Sequence, residues 1–129
     1  MRKIICLSLV LFISAIIFAG VIFNRVFPLA NALEVPTEDI ISVTFSRDET
    51  ETVLDENSIS DFLKELSESK PTRKMSVNDY PGVECCTVTI NTAYSRYIYF
   101  VYEENGRQYV EMPYVGIYKV DSEMLQMIS

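Results

Sequence analysis

The sequence has no histidine and only three cysteines, none of them in a spaced pair. Histidine is the commonest general base near neutral pH, and zinc sites are usually built from histidine and spaced cysteines. Cys85 and Cys86 are adjacent, and a disulfide between neighbours requires a strained backbone. We therefore predict no zinc site and no disulfide framework, and we expect one of these two thiols to be buried and the other exposed.

Motifs that specify a reaction or a cofactor are also missing. The sequence contains no G-x-S-x-G element and no glycine-rich phosphate loop. The acidic run at 48–56 lacks the central glycine and the spaced Asp or Asn ligands of a calcium loop. We therefore predict neither a cofactor nor a bound metal. A hydrolase that uses carboxylates is kept as a weaker alternative, since the 18 acidic residues offer many pairs.

The sequence does contain one long apolar segment near its start. Residues 4–23 include no charged residue, and as a helix they span about 30 Å, the thickness of the hydrocarbon core of a bilayer. Arg2 and Lys3 precede the segment, whereas only Arg25 follows it closely. The positive-inside rule then predicts a single-pass protein of the cytoplasmic membrane, with its N-terminus inside and the rest of the chain outside. Residues 1–23 are thus predicted to target the chain to the membrane.

Two interpretations of this segment are open. Its length favours an uncleaved signal anchor, because the apolar regions of signal peptides usually have about 7–15 residues. The alternative is a signal peptide cleaved after Ala32, which would release a secreted protein, since residues 30–32 form an A-x-A site. Arg25, between the apolar run and this site, weakens the cleavage interpretation.

Acidic residues dominate the rest of the chain. Three of the 11 basic residues flank the apolar segment, which leaves eight against 18 acidic residues in the exported part. Such a domain is repelled by nucleic acid phosphates and by anionic lipid surfaces. Binding to nucleic acid is therefore not expected.

Hydrophobic periodicity predicts an α+β domain over residues 38–129, after a proline-containing linker at 24–37. Alternating or β-branched residues indicate strands near 41–45, 50–54, 86–90, 96–103, 107–112 and 117–120. Residues 70–82 have the composition of a loop, and Asn105-Gly106 predicts a tight hairpin. The predicted architecture is a curved antiparallel sheet with helices on one face.

Two helices are predicted to cover that face. The first runs over 58–69, with Ser58 as its N-cap and an apolar stripe that includes Phe62. The second follows Asp121 or Ser122 and carries Met124, Leu125 and Ile128.

The predicted core lies between the first helix and the sheet. Phe100 lies in the middle of the most apolar strand, so it is expected to share one core with Phe62. Tyr97 and Tyr99 lie on the opposite face of the same strand, where they pack on the sheet or form an aromatic binding surface. The polar residues Ser42, Thr44, Thr87 and Thr89 predict that the second face of the sheet is wet.

Two groups of residues are candidates for a binding site. One is a loop that holds three of the eight exported basic residues within five positions, Lys70, Arg73 and Lys74. These could bind an anionic or carboxylate group, although a simple solvated loop has the same composition. The other group surrounds Pro113 and Gly116, where the backbone could approach a partner closely, and consists of Tyr109, Tyr114 and Tyr118. Half-buried sheet positions also favour tyrosine, so packing is the alternative explanation.

Two segments of the sequence resemble a known family. They are residues 69–79, SKPTRKMSVND, and residues 109–121, YVEMPYVGIYKVD. With the apolar segment, they are similar to a domain-of-unknown-function family of short exported or membrane-anchored proteins from Gram-positive bacteria, over roughly residues 38–128. The resemblance implies a bacterial origin and an extracytoplasmic location, and it implies no activity.

These observations lead to one functional hypothesis and one main alternative. We expect a non-enzymatic binding or interaction module, attached to the membrane through residues 4–23, with a partner in the membrane or the cell wall. The alternative is an accessory subunit of a membrane sensor or transporter.

Overall fold

A computed structural model of the chain describes residues 2–36, 39–121 and 124–127. It contains three helices, α1 (Arg2–Val26), α2 (Glu56–Glu68) and α3 (Met124–Met127). The strands are β1 (Ile40–Arg47), β2 (Thr50–Val53), β3 (Lys70–Pro71), β4 (Cys86–Thr92), β5 (Arg96–Glu104), β6 (Arg107–Met112) and β7 (Gly116–Val120). The predicted α+β class, with an apolar helix ahead of an antiparallel sheet, is confirmed.

The seven strands form one open sheet in the order β2-β1-β4-β5-β6-β7-β3. Every pairing is antiparallel. Strand β3 was not predicted, because its two residues fall in the segment assigned to a loop and a strand this short has no periodicity. It pairs with Tyr118 and Lys119 at the edge of the sheet.

Two hairpins in this sheet have the same turn geometry with different residues. Asp48 and Glu49 connect β1 to β2 with φ of 46° and 66°, and Asn105 and Gly106 connect β5 to β6 with φ of 54° and 70°. Positive φ at both central residues is typical of the type I′ turn, which matches the twist of paired strands. The predicted Asn-Gly turn is confirmed, while the first turn forms without glycine.

Helix α2 begins one turn earlier than predicted. Asp55 is its N-cap, and the Oδ1 of this residue accepts a hydrogen bond from the N–H of Ser58 at 2.8 Å. The prediction of Ser58 as the cap is therefore wrong, because Asp55 already offers a side-chain acceptor three residues ahead of that N–H. This hydrogen bond lowers the pKa of Asp55.

The main core lies between one face of the sheet and helices α2 and α3. Its buried members are Val43, Phe45, Phe62, Leu66, Cys86, Val88, Ile90, Tyr99, Val101, Val110, Val120 and Met124. The Phe62 ring meets the Tyr99 ring edge to face, with centroids 6.5 Å apart. Helices on one face of the sheet were predicted, and the described residues confirm it. Ile128, predicted to belong to the last helix, lies outside the described residues.

Phe100 lies on the opposite face, so the prediction that it shares a core with Phe62 is wrong. Its ring packs against Tyr80 with centroids 5.0 Å apart. Tyr97 and Tyr99 pack in the main core instead and form no exposed aromatic surface. Because side chains alternate along a strand, burying Tyr99 against α2 directs Phe100 to the other side.

The second face of the sheet has two halves. Over β1 and β4 it is polar and half-buried, as expected from Ser42, Thr44, Thr87 and Thr89. Over β5–β7 it is covered by the loop at 72–85 and contains a smaller apolar cluster of Tyr102, Tyr109 and Ile117. The expectation of a wet face is therefore wrong for this second half.

The cysteines are free thiols, and the adjacent pair divides between two environments. Cys86 is buried in the main core, and Cys85 is half-buried beside the smaller cluster rather than exposed as expected. Burial raises the pKa of both thiols. Both are therefore protonated and weakly nucleophilic at neutral pH.

The segment between α1 and β1 lies against the sheet. The N–H of Ala30 donates to the carbonyl oxygen of Thr72 at 3.1 Å, and the Tyr99 hydroxyl donates to the carbonyl oxygen of Glu34 at 2.8 Å. Leu33 and Val35 pack against the main core. Residues 30–36 therefore contribute to the packed domain.

Helix α1 makes few contacts with the rest of the chain along its length. The side chains of residues 5–26 are all exposed. Residues Ile5–Val26 are long and apolar enough to cross a membrane, a criterion that a signal sequence also meets.

Candidate binding cleft

The loop at 72–85 leaves a cavity of about 280 Å³ between itself and the second face of the sheet. We call this cavity the outer cleft. Its lining includes apolar and charged side chains, among them Lys74, Tyr80, Tyr102, Glu104, Glu111 and Ile117. The accessible lining is more polar than apolar, and in small-ligand sites convergent polar groups fix the orientation of the ligand.

A buried carboxylate forms part of the lining. Glu111 is 5% exposed and is the only acidic or basic residue buried in the described part of the chain. Its Oε1 accepts a hydrogen bond from the Ser76 hydroxyl at 2.6 Å, and its Oε2 accepts one from the Tyr102 hydroxyl at 3.3 Å. Because a buried charge is costly unless it is hydrogen-bonded, these two donors stabilise the carboxylate and connect the loop to β5 and β6.

Tyr102 and Ser76 extend this network in two directions. Burial, together with the nearby Glu111 carboxylate, raises the pKa of Tyr102, so its hydroxyl stays protonated and can donate. The Ser76 hydroxyl oxygen accepts a hydrogen bond from the N–H of Tyr114 at 3.1 Å. The loop is thereby joined to the turn between β6 and β7.

A cation at the mouth of the cleft brings together members of both predicted groups. The Lys74 ammonium forms an ion pair with Glu104 and lies 4.3 Å from the centroid of the Tyr109 ring. A cation over an aromatic face is attracted by the ring quadrupole. The Lys74 and Glu104 side chains are 44% and 39% exposed, so a ligand can reach both charges.

The other two basic candidates point elsewhere. Lys70 pairs with Asp121, an interaction that raises the pKa of Lys70 and lowers that of Asp121. The Arg73 guanidinium donates to the carbonyl oxygen of Phe27 and to Asn24 Oδ1, and it lies 5.1 Å from the centroid of the Phe23 ring. The structure therefore does not bring Lys70, Arg73 and Lys74 together.

The predicted tyrosines are also separated. Tyr109 is buried beneath Lys74, whereas Tyr114 is exposed and its hydroxyl donates to Asp79 Oδ1 at 2.6 Å. Tyr118 is fully buried on the opposite face of the sheet. Its hydroxyl has no hydrogen-bond partner among the described residues.

Sequence reasoning missed the acidic side of this cleft. Glu111 has one local signal, since it is a carboxylate within the otherwise apolar run of residues 109–112. Glu104 and Ser76 have no local signal. Lys74, the partner of Glu104, lies 30 positions away in the chain, and Glu111, the partner of Ser76, lies 35 positions away.

The fold and the cleft together define a class of protein, a small α+β domain with an open antiparallel sheet carried behind an apolar N-terminal helix. Residues 29–119 match the family model DUF5301, described as a domain of unknown function (DUF5300), and the chain belongs to this family. The predicted resemblance to a domain-of-unknown-function family is thereby confirmed.

One solved structure supports the same fold. It is the NMR structure of a protein from Ruminococcus gnavus, which is 32% identical and superposes with a TM-score of 0.62. The match covers 77% of this chain and 99% of that one. No curated protein matches this chain.

Proposed function

We propose that this protein is a membrane-anchored, non-enzymatic binding module that presents the outer cleft outside the cytoplasmic membrane. The observation that carries the proposal is the composition of the cleft, in which the buried Glu111 and the exposed pair of Lys74 and Glu104 lie among apolar side chains and leave a mainly polar accessible lining. Both oxygens of Glu111 accept hydrogen bonds from hydroxyls, which supports a role in shaping the cleft.

The charges at the mouth favour a ligand with two opposite charges. Lys74 and Glu104 are side by side, so they can bind a carboxylate and an ammonium group of one molecule. An ion pair this exposed is worth only about 0–1 kcal/mol, so a ligand can replace it at little cost. The ends of short peptides, including those of the cell wall, have this chemistry.

The contacts of Arg73 favour an anchor over a cleaved signal peptide. Its partners Asn24, Phe27 and Phe23 would all be removed by cleavage after Ala32. Cleavage would also remove Ala30, whose N–H donates to the carbonyl oxygen of Thr72. The positive-inside bias of the flanking residues then supports a domain on the outer side.

A binding assay on the full chain in lipid nanodiscs tests this function. Short zwitterionic peptides, cell-wall peptide fragments and divalent metals are screened for an increase in Tm and then titrated. We expect peptides to raise Tm, because a ligand that binds only the folded state stabilises it. Lys74→Ala should abolish the shift.

Lys70→Ala is the matched control, because Lys70 is also an exposed lysine paired with a carboxylate but lies outside the cleft. It should retain the peptide shift. Equal loss in both variants, or a full shift in Lys74→Ala, would contradict the assignment of the cleft. A shift with metals alone would favour a metal-dependent enzyme, and no shift with any compound would favour the accessory-subunit hypothesis.

A further inference from the structure

The turns at the two ends of the antiparallel sheet differ in charge. One end, which we call the near pole, carries the turns at 93–95 and 113–115. The opposite end, the far pole, carries the turns at 48–49 and 105–106. The near-pole turns themselves contain no charged residue, although Arg96 follows one and Asp79 accepts a hydrogen bond from Tyr114 in the other. At the far pole, Asp48 and Glu49 form one turn, and Glu104 and Arg107 flank the other.

The end of α1 lies at the near pole. Gly116, the first residue of β7, is so close to the linker that a Cβ added to it would lie 2.7 Å from the Cβ of Ala30. Thr72 follows the edge strand at the same pole and accepts the hydrogen bond from Ala30. Since only residues 27–29 separate α1 from Ala30, the helix ends within about 14 Å of this pole.

Arg73 makes this junction tighter. Its guanidinium contacts the last turn of α1 through Asn24, the carbonyl oxygen of Phe27 and the ring of Phe23. Long basic side chains commonly pack their stems on apolar surface and keep their charge at the polar edge of a membrane, and Arg73 lies beside the Phe23 ring at the end of α1. The domain is therefore held against the end of the helix by several contacts in addition to the chain itself.

The near pole also exposes the residue type that bilayer interfaces favour. Tyr94 is 89% exposed at the tip of one turn and Tyr114 is 64% exposed at the tip of the other. Ile41, near the start of β1, and Val115 are exposed at the same end. Tyrosine is enriched at membrane–water interfaces, because its ring is apolar and its hydroxyl is polar.

We propose that the near pole rests on the outer interface of the bilayer that α1 spans, with Tyr94 and Tyr114 among the lipid headgroups. This inference rests on the anchoring stated under the proposed function. The acidic character of the domain does not oppose it, because the carboxylate of Asp79 at this pole is accompanied by the opposite charge of Arg96 and the acidic turn at 48–49 is directed away from the lipid. The outer cleft is then held at a fixed height above the membrane.

Tryptophan fluorescence tests this contact, because the native chain has no tryptophan. Tyr94→Trp, Tyr114→Trp and the far-pole control Glu103→Trp are each made in the full chain and reconstituted in phosphatidylcholine vesicles. Phe12→Trp, in the middle of α1, reports on the anchor itself. Lipids spin-labelled at the headgroup or in the acyl chain quench from the membrane, and iodide quenches from water.

We expect headgroup-labelled lipid to quench the two near-pole variants several-fold more than Glu103→Trp, and iodide to quench them less. Phe12→Trp should be quenched by acyl-chain labels. If Phe12→Trp is quenched in this way but all three domain variants behave alike, the anchor is correct and the docking of the near pole is refuted. If Phe12→Trp is not quenched by lipid, the anchor fails and this inference fails with it.

Discussion

Truncating the two phenylalanines on opposite faces of the sheet should have unequal effects on stability. Phe62 and Leu66 are the buried residues of α2, and the fully buried Phe62 makes an edge-to-face contact with Tyr99. Phe62→Ala should therefore lower the free energy of unfolding by about 3–5 kcal/mol, which includes the lost aromatic contact. A domain of this size has a total stability of about 5–15 kcal/mol, so this variant should be close to unfolding.

Phe100→Ala should cost less, about 2–3 kcal/mol, because its cover is a surface loop that can close over the cavity. Its neighbour Tyr80 is itself 55% exposed. Thr87→Ala and Thr89→Ala, on the polar half of that face, should stay within about 0.5 kcal/mol. Urea unfolding of the four variants measures these differences. A cost for Phe100→Ala that equals or exceeds that of Phe62→Ala would refute the conclusion that Phe100 lies outside the main core under a surface loop.

Three further substitutions test individual features. Tyr118→Phe should raise the free energy of unfolding by about 1 kcal/mol, because it removes a buried hydroxyl without a partner among the described residues. A lower free energy of unfolding in urea melts would show that the hydroxyl does have a partner. Glu49→Gly should stabilise the first hairpin by roughly 1 kcal/mol, because glycine adopts positive φ without steric cost. An unchanged urea midpoint would refute the left-handed conformation of Glu49 in this turn. The lowered pKa of Asp55 means that its cap stabilises the fold above the ordinary Asp pKa and is lost as the pH falls below about 4. Asp55→Asn keeps an acceptor for the N–H of Ser58 without titrating, so its Tm should fall less in acid; parallel Tm–pH curves would contradict the cap.

Local sequence patterns predicted the elements of the fold better than the direction of their side chains. The apolar stripe of α2 and the Asn105-Gly106 turn were both identified, since each is encoded within a few residues. Residues 97–102 are aromatic or β-branched at every position, so alternation alone does not say whether Tyr99 or Phe100 faces α2. The choice is made by tertiary packing against Phe62.

The candidate cleft was predicted only in part, for a similar reason. Composition singled out Lys74 and Tyr109, which the structure places in contact. The partners Glu104 and Glu111 come from strands far from the loop in sequence, and no local spacing indicates that the loop folds over them. The contacts of Arg73 with the end of α1 were missed because they join a loop to a segment predicted to be a linker.

Thiol labelling on intact cells stripped of their wall tests most directly whether the domain is anchored outside the membrane. Lys64→Cys places a thiol on the exposed side of α2, in a chain whose three native cysteines are replaced by alanine. A membrane-impermeant maleimide should label this thiol before lysis, on a cell-associated protein of full length. Labelling only after lysis, or labelled protein that is released and lacks residues 1–32, would contradict the account.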